Sequence, residues 1–429
     1  MTKANPLKIA IAGLGTVGGG TVQLLHDQAE VLAARAGRPL ALVGAAALEK
    51  PAGLPLDGVT FFADARDMAK TCDYDVLVEL IGGAKGIALD VVKTALERGK
   101  SVVTANKAMI AHHGIELARL AEAKGGNIGF EASVGGGIPV IKSLREGLAG
   151  NRVTKVMGIL NGTCNYILTT MRDSGRDFSD VLAEAQALGY AEADPSFDID
   201  GTDTAHKLAI LASLAFAMPV NIDAVSCEGI RNVSALDIRY ADELGYRIKL
   251  LGVASSSDKG VETRVYPAMV PLSFPLAHVS GPFNAIVTEG DFVGRTVLEG
   301  RGAGARPTAS AVVADLMDLA TGRVMPTFGL AVDALKPRAA APAGAHRSAY
   351  YIRLMVRDEP GVFADVAAAL KAEKVSMEQI IQRGRAPSEV VPVVMTVHET
   401  DEASMLRAVD RIRALVSVTD LQLIRIESL

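Results

Sequence analysis

Lys8-Ile9-Ala10-Ile11-Ala12-Gly13-Leu14-Gly15-Thr16-Val17-Gly18-Gly19-Gly20-Thr21-Val22-Gln23-Leu24-Leu25 decides the fold. A short apolar strand runs into Gly-x-Gly-x-x-Gly and then into an amphipathic run. Gly13 permits a tight turn, Gly15 lets the backbone approach a pyrophosphate, and Gly18 allows close helix packing while the helix N-terminus faces the anion. An isolated motif of this kind is also compatible with a glycine-rich turn; between a strand and a helix it reads as a dinucleotide-binding fingerprint covering Gly13, Leu14, Gly15, Thr16, Val17 and Gly18.

Further strands are expected at Leu40 to Ala47, Val76 to Ile81 and Ser101 to Thr104, with helical patterns near Ile87 to Arg98 and Gly114 to Lys124. This alternation predicts a Rossmann-type doubly wound parallel sheet. Ligands bind beyond the carboxyl ends of such strands, which places Glu79 to Gly83 and Thr104-Ala105-Asn106-Lys107 at a cleft. After the second strand, Leu48-Glu49-Lys50 offers an acid beside a base and leaves the choice between NAD and NADP open. The following strand leads into Glu131-Ala132-Ser133-Val134-Gly135-Gly136-Gly137-Ile138-Pro139, a loop able to line a substrate or cation with backbone oxygens, or to serve as a hinge.

A second informative stretch is Gly189 to Lys207, Gly-Tyr-Ala-Glu-Ala-Asp-Pro-Ser-Phe-Asp-Ile-Asp-Gly-Thr-Asp-Thr-Ala-His-Lys. With a helix starting near Gly201, Asp203 and Lys207 stand four residues apart on one face, so the acid can hold the ammonium. A solvated charge run is the plain alternative. Against it, Leu208 to Val220 is almost wholly apolar and brings Lys207 to the edge of a core, where an unpaired charge is costly. A calcium loop fails on spacing, since glycine is fourth from Asp198 and Ala209 twelfth.

The 429 residues allow two or three domains, and 49% apolar with 22% charged residues describes a globular protein. A net charge of -5 gives no footprint for nucleic acid, and no apolar run is long enough for a membrane span. Small metabolites are the expected partners. Cys72, Cys164 and Cys227, an odd count without metal-like spacing, and no export signal ahead of the first strand point to a cytoplasmic protein. The scattered histidines show no zinc site.

Strand-like segments at Arg152 to Leu160, Tyr246 to Ala254, Val261 to Val270 and Phe283 to Gly290 alternate with helices near Phe178 to Leu188 and Gly201 to Ala217. They predict an α+β catalytic domain, a mixed sheet with helices on one face. Gly300 to Gly304 precedes a helix near Thr308 to Leu319. An alanine- and proline-rich stretch follows, and then a βαββαβ order from Tyr350 to Ile426 containing Asp358-Glu359-Pro360-Gly361. The expected domains are 1–148 for the dinucleotide with a return helix at about 302–322, 149–301 for catalysis and dimerisation, 323–348 as linker, and 349–429 as a regulatory module.

Together, Gly13 to Gly20, Asn106-Lys107, Glu131 to Pro139, Asn161 to Leu168 and the pattern from Ala185 to Lys207 resemble a monofunctional bacterial homoserine dehydrogenase over essentially the whole chain. The last domain resembles an ACT domain. The resemblance implies NAD(P)-dependent interconversion of L-homoserine and L-aspartate 4-semialdehyde on the route to threonine, methionine and isoleucine. It implies Lys207 as proton donor, with Lys107 and Asp203 beside it, and substrate contacts from Glu192, Asp198, Lys107 and Asp203. The cofactor is implied to lie along Gly13 to Gly18, Thr104, Asn106, Lys107 and Gly302. A monovalent cation, sodium or potassium, is implied at Glu131, Val134, Gly136 and Ile138, with Gly189 and Glu192 across from them. A homodimer or homotetramer with a threonine effector at the ACT domain is also implied. Ala47-Leu48 stands where many relatives carry Arg-Asp, which weakens the usual argument for NADP and leaves both cofactors open. Two other readings are a semialdehyde dehydrogenase using a Cys164 thioester, with Cys164 at a helix start where thiolates are favoured, and a non-catalytic amino-acid sensor.

Overall fold

The computed structural model describes residues 5–342, 344, 346–383 and 389–427. The outermost residues of the first and last expected domains, residues 384–388, and Ala343 and Ala345 of the expected linker lie outside the described residues.

The amino-terminal part is built of β1 (Leu7–Ala12), α1 (Thr16–Asp27), α2 (Ala29–Ala36), β2 (Leu40–Ala46), β3 (Thr60–Phe62), α3 (Ala65–Thr71) and β4 (Val76–Glu79), followed by α4 (Ile87–Glu97), β5 (Ser101–Thr104), α5 (Lys107–Lys124), β6 (Ile128–Gly129) and α6 (Val140–Lys142). Its six strands are all parallel in the order β3-β2-β1-β4-β5-β6. That is the doubly wound order with its switch point between β1 and β4, where both strands end at a common cleft.

The middle part comprises β7 (Val153–Ile159), α7 (Gly162–Ser174), α8 (Phe178–Ala187), α9 (Ser196–Ile199), α10 (Thr202–Phe216), β8 (Ser226–Cys227) and α11 (Ala235–Glu243), then β9 (Tyr246–Ser257), β10 (Gly260–Pro271), β11 (Phe283–Gly290), β12 (Gly294–Arg301) and α12 (Ala305–Thr321). The last part is β13 (Arg347–Arg357), α13 (Val362–Ala372), β14 (Met377–Gln382), β15 (Val390–Asp401), α14 (Glu402–Arg413) and β16 (Val418–Ile426), the expected βαββαβ order. Helices α7, α10 and α11 cover one face of the second sheet.

Helix α12 returns to the first sheet, and small residues let it do so. A Cβ on Gly20 of α1 would stand 2.8 Å from the Ala305 carbonyl, and one on Gly129 would stand 2.7 Å from the Asp315 side chain. Buried Asp315 accepts the Glu131 N–H at 2.8 Å. Both carboxyls are pushed above their ordinary range, chiefly by burial.

Two features were not foreseen. First, the regulatory module is not a detached unit: its β16 pairs in parallel with β10 at Ala268↔Arg425 and Met269↔Ile426, so the strand order runs β12-β11-β7-β9-β10-β16-β13-β15-β14. Second, the 323–348 segment is laid against the parts it joins. Phe328 packs on Phe130 with centroids 5.5 Å apart, Val332 N–H donates to Glu122, and Val261 and Ala341 N–H groups exchange bonds with Ala339 and Val261 carbonyls.

Side chains lock the module to the catalytic part. Asp237 on α11, fully buried, forms a capping box with Ser234 and accepts Arg353 Nε at 2.7 Å and the Tyr351 hydroxyl at 3.1 Å from β13. Removing one partner of a buried pair leaves the other charge uncompensated. Asp237→Ala is therefore expected to lower stability by about 3–5 kcal/mol, read by urea denaturation; a loss below ~1 kcal/mol would match an exposed pair instead.

Candidate active site

The nucleotide-facing turn is built as its glycines require. Gly13 has φ +99°, a conformation costly for other residues, and a Cβ there would stand 2.5 Å from the Leu80 carbonyl. A Cβ on Gly18 would stand 2.0 Å from the Gly13 carbonyl, whereas one on Gly15 would meet nothing within 4 Å. Gly13 and Gly18 thus serve packing, and Gly15 faces open space where a pyrophosphate needs backbone approach. Beside it lies a cavity of about 570 Å³ lined by Gly13, Gly15, Leu48, Glu49, Asp64 and Ile81, among others. The fit to a dinucleotide is good: a Gly-bounded helix start for the phosphates and a pocket for the adenosine end.

The cleft floor is tied by Glu79, which the sequence marked only as a strand-end residue. Its buried carboxylate accepts the Ile81 and Gly82 N–H groups and the Thr104 hydroxyl, the last at 2.6 Å. Thr104 Oγ1 in turn accepts the Asn106 N–H. Asn106 caps α5 through Met109 N–H, and its amide donates to the Gly83 carbonyl. These bonds fix the helix whose first residue is Lys107.

Across the cleft, β7 ends and α7 begins at Asn161. Helix α10 carries Asp203 in its first turn, where the helix dipole favours an anion. Asp203 Oδ1 meets Lys107 Nζ at 2.8 Å, and Oδ2 meets Lys207 Nζ at 2.7 Å. Lys207 Nζ also donates to the Leu160 carbonyl at 2.6 Å. One carboxylate thus joins a lysine from each side of the cleft. Burial opposes ionisation of Asp203, but the two lysines outweigh it and hold the carboxyl well below the usual range. Lys207 is shifted down from its ordinary value, by burial first, with Lys107 adding repulsion and Asp203 opposing.

The structure brings Lys207, Lys107, Asp203 and Asp198 together. Asp198 and Asp203 both accept from Asn161 Nδ2 at 2.7 Å. Glu192 is not part of this cluster: its side chain is exposed and makes no hydrogen bond or ion pair among the described residues, while its carbonyl accepts from Gln186. Phe197 lies under Lys107, 5.7 Å from its Nζ, and stacks edge-on with buried His206. Asn161 and Phe197 were not singled out in the sequence as site residues. Asn161 had a signal, an N-cap residue following a strand; Phe197 had none.

Cys164 does not suit a thioester. Its side chain is buried, its Sγ faces the Asp198 carbonyl, and burial together with Asp198 and Asp203 raises the thiol well above its ordinary value. The helix start favours a thiolate, but two carboxylates and burial reverse that balance.

Around the triple-glycine loop, Glu131 spends its carboxylate on the Ile141 and Lys142 N–H groups at 2.9 and 2.8 Å. The Ile138 carbonyl accepts from Val140. Carbonyls of Val134 and Gly136 accept no hydrogen bond among the described residues. A Cβ on Gly136 would stand 2.4 Å from the Gly302 carbonyl, and one on Gly302 would stand 2.2 Å from the Asn284 side chain. Those two glycines, singled out for different ligands, are packed against each other where the chain leaves and re-enters the nucleotide part.

A dinucleotide cleft opposed by a lysine–carboxylate–lysine cluster, on a chain ending in an ACT fold, defines a nicotinamide-dependent oxidoreductase with an appended ACT module. Residues 13–131 match the NAD-binding domain of homoserine dehydrogenase, 139–317 match homoserine dehydrogenase itself, and 350–417 match the ACT domain. The chain is 46% identical to the homoserine dehydrogenase of Pseudomonas aeruginosa, covering 96% of this chain and 97% of that one. It is 45% identical to that of Neisseria gonorrhoeae over 99% of each. A crystal structure of a homoserine dehydrogenase from Thiobacillus denitrificans matches with TM-score 0.93 and 43% identity over 99% of both chains. A hyperthermophilic archaeal homoserine dehydrogenase mutant in complex with NADPH matches with TM-score 0.64 and 28% identity, over 75% of this chain and 99% of that one. The chain belongs to the homoserine dehydrogenase family.

The tight Gly18–Gly13 approach yields a test. Gly18→Ala is expected to displace the turn and weaken NADH binding about 5- to 150-fold, in keeping with the ~1–3 kcal/mol of overpacking; fluorescence titration at unchanged affinity would contradict it.

Proposed function

We propose that this homoserine dehydrogenase interconverts L-aspartate 4-semialdehyde and L-homoserine with Lys207 as the proton-transfer group. The observation that carries this is the shared Asp203 carboxylate, which fixes Lys207 Nζ and Lys107 Nζ on one small volume beside the nucleotide cleft. NAD(P)H supplies the hydride when bound. Lys207 gives its proton to the developing alkoxide, and its charge stabilises that oxygen before transfer. Lys107, about one-third exposed, faces the same volume and adds positive charge. Asp203 stays ionised throughout and orients both ammonium groups. Asp198 offers a carboxylate for the substrate's amino end, and Glu192 would reach it only by movement of its exposed loop.

Glu49 and Asp64 line the adenosine end of the cavity, whose lining among the described residues includes no arginine or lysine. This supports a ribose hydroxyl over a 2'-phosphate, although the archaeal relative's NADPH complex is a reason to assay both cofactors. The residues expected to hold sodium or potassium fit in part: Val134 and Gly136 carbonyls remain for an ion, with Glu131 already engaged. The same reading takes the chain as a cytoplasmic homodimer or homotetramer whose ACT domain senses threonine. No helix among the described residues is long and apolar enough to cross a membrane.

Lys207→Ala is expected to lower turnover of aspartate semialdehyde about 10²- to 10⁴-fold, followed by NADH and NADPH oxidation; near-normal turnover would remove Lys207 from proton transfer. Homoserine oxidation needs neutral Lys207, so its rate rises with pH. Because burial and Lys107 lower the lysine, that rise is expected to finish below the ordinary ~10.4, and semialdehyde reduction to decline through the same range. A flat profile in both directions would exclude the assignment. Threonine is expected to inhibit and to raise Tm, with coupling of about 1–3 kcal/mol; silence in both assays would leave the ACT domain a pairing module.

A further inference from the structure

We infer that Asn161 is a positioning residue of this reaction: its side-chain amide bridges Asp198 and Asp203 and holds the two carboxylates at the spacing that the lysines and the substrate's amino end require. This rests on the reading of the site given above. Asn161 is 5% exposed and stands at the N-cap of α7, one residue after Leu160, whose carbonyl holds Lys207. Every polar atom of its side chain is committed. Oδ1 accepts the Cys164 N–H at 2.8 Å, and Nδ2 donates to Asp198 Oδ1 and Asp203 Oδ2, each at 2.7 Å.

That arrangement permits only one orientation of the amide. Reversed, it would aim the carbonyl oxygen at two carboxylates and the NH2 at a backbone N–H. The cap therefore decides which way the two hydrogens point, and both point into the catalytic cluster. Asp203 Oδ2 then receives two donors, Lys207 and Asn161, which fixes the carboxylate plane and leaves Oδ1 for Lys107.

The bridge also separates two anions. Asp198 is shifted above its ordinary range by burial, the Asn161 bond opposes that shift, and Asp203 reinforces it. The groups that bear on Asp198 are Asp203 and Lys207 from α10, Lys107 from α5, and Asn161 and Cys164 from α7. Replacing the bridging NH2 with anything that does not donate removes a bond favouring the charged form, so Asp198 would take up its proton at higher pH.

The cap and the bridge can be tested apart, because serine and aspartate cap helices about as well as asparagine. Asn161→Ser keeps the cap and is too short to bridge. It is expected to retain NADH affinity and to lose some Tm through the two bonds to buried carboxylates, while kcat falls about 10- to 100-fold, as for loss of hydrogen bonds to charged groups. The acid limb of kcat/KM for aspartate semialdehyde, a direction in which Lys207 is already protonated, should move to higher pH. Asn161→Asp keeps cap and shape but adds a third carboxyl. It is expected to lose more activity at neutral pH and to recover part of it at acid pH, where the introduced carboxyl is protonated and donates. Wild-type kcat and pH profile in Asn161→Ser would overturn the proposal. So would a lowered Tm with an unshifted profile, which would leave the bridge a structural role alone. The wild-type chain assayed alongside separates this failure from failure of the reaction itself.

Discussion

A single buried carboxylate shared by two lysines constrains the rest of the structure. Asp203 is 3% exposed, and in that setting an ionised carboxyl is sustained only by well-placed partners. Its partners come from two different helices: Lys107 opens the helix after β5, and Lys207 lies one turn along the helix that carries Asp203. A lysine at a helix N-terminus is disfavoured by the dipole, so Lys107 depends on Asp203 as much as Asp203 depends on it. The electrostatics that ready the site are thus also a tie across the cleft. With the roles proposed for Lys207 and Lys107, catalysis requires no large rearrangement of charge, because the ammonium groups are already held in place by Asp203.

Much of the backbone can be understood as what permits that meeting. Gly136 and Gly302 bring the exit from the first sheet and the re-entry into it within contact, and Gly20 and Gly129 let α12 close over α1 and β6. Side chains at these positions would wedge the two halves apart and lengthen the distance between Lys107 and Lys207. On the cleft floor, Glu79 uses three hydrogen bonds to hold the loop after β4 and the end of β5. Its carboxylate is therefore structural, although its place at a strand end resembles that of a ligand-binding acid.

The parallel sheet, the fingerprint and the pairing of Asp203 with Lys207 were legible because each is a local pattern: a period, a fixed glycine spacing, or a four-residue step on one helix. The βαββαβ order was legible for the same reason. What the sequence concealed depends on contacts far apart in the chain. Nothing near Phe197 shows that it will lie under Lys107, and nothing near Cys164 shows that Asp198 and Asp203 will surround it and suppress its ionisation. Strand β12 was missed because none of its residues is fully buried and its sequence, Gly-Arg-Thr-Val-Leu-Glu-Gly-Arg, shows no alternation of apolar and polar residues. The departure of Glu192 from the cluster has a similar cause: the acidic loop is held to α7 by the Thr163 bond to the Tyr190 carbonyl and by Tyr166 stacked on Tyr190, which orient its backbone but not that side chain.

The seam between the catalytic sheet and the ACT fold has a different physical character from the cleft. Only two residue pairs join β10 to β16, so backbone bonding alone is a weak connection. Charge completes it: Arg264 and Arg425 both reach Glu402, Arg425 also reaches Glu228, and Arg353 reaches Asp237. Separating the two parts would expose or strand several of these charges together, a cost that hydrophobic contact of equal area would not impose. The ACT fold therefore behaves as an extension of the catalytic sheet and not as a tethered neighbour. A ligand that altered the ACT sheet would act directly on β10, whose Val265 lies against Gly201 at the head of the helix bearing Asp203 and Lys207. The same packing that makes the module stable gives it mechanical access to the site, provided that a ligand distinguishes two arrangements of that sheet.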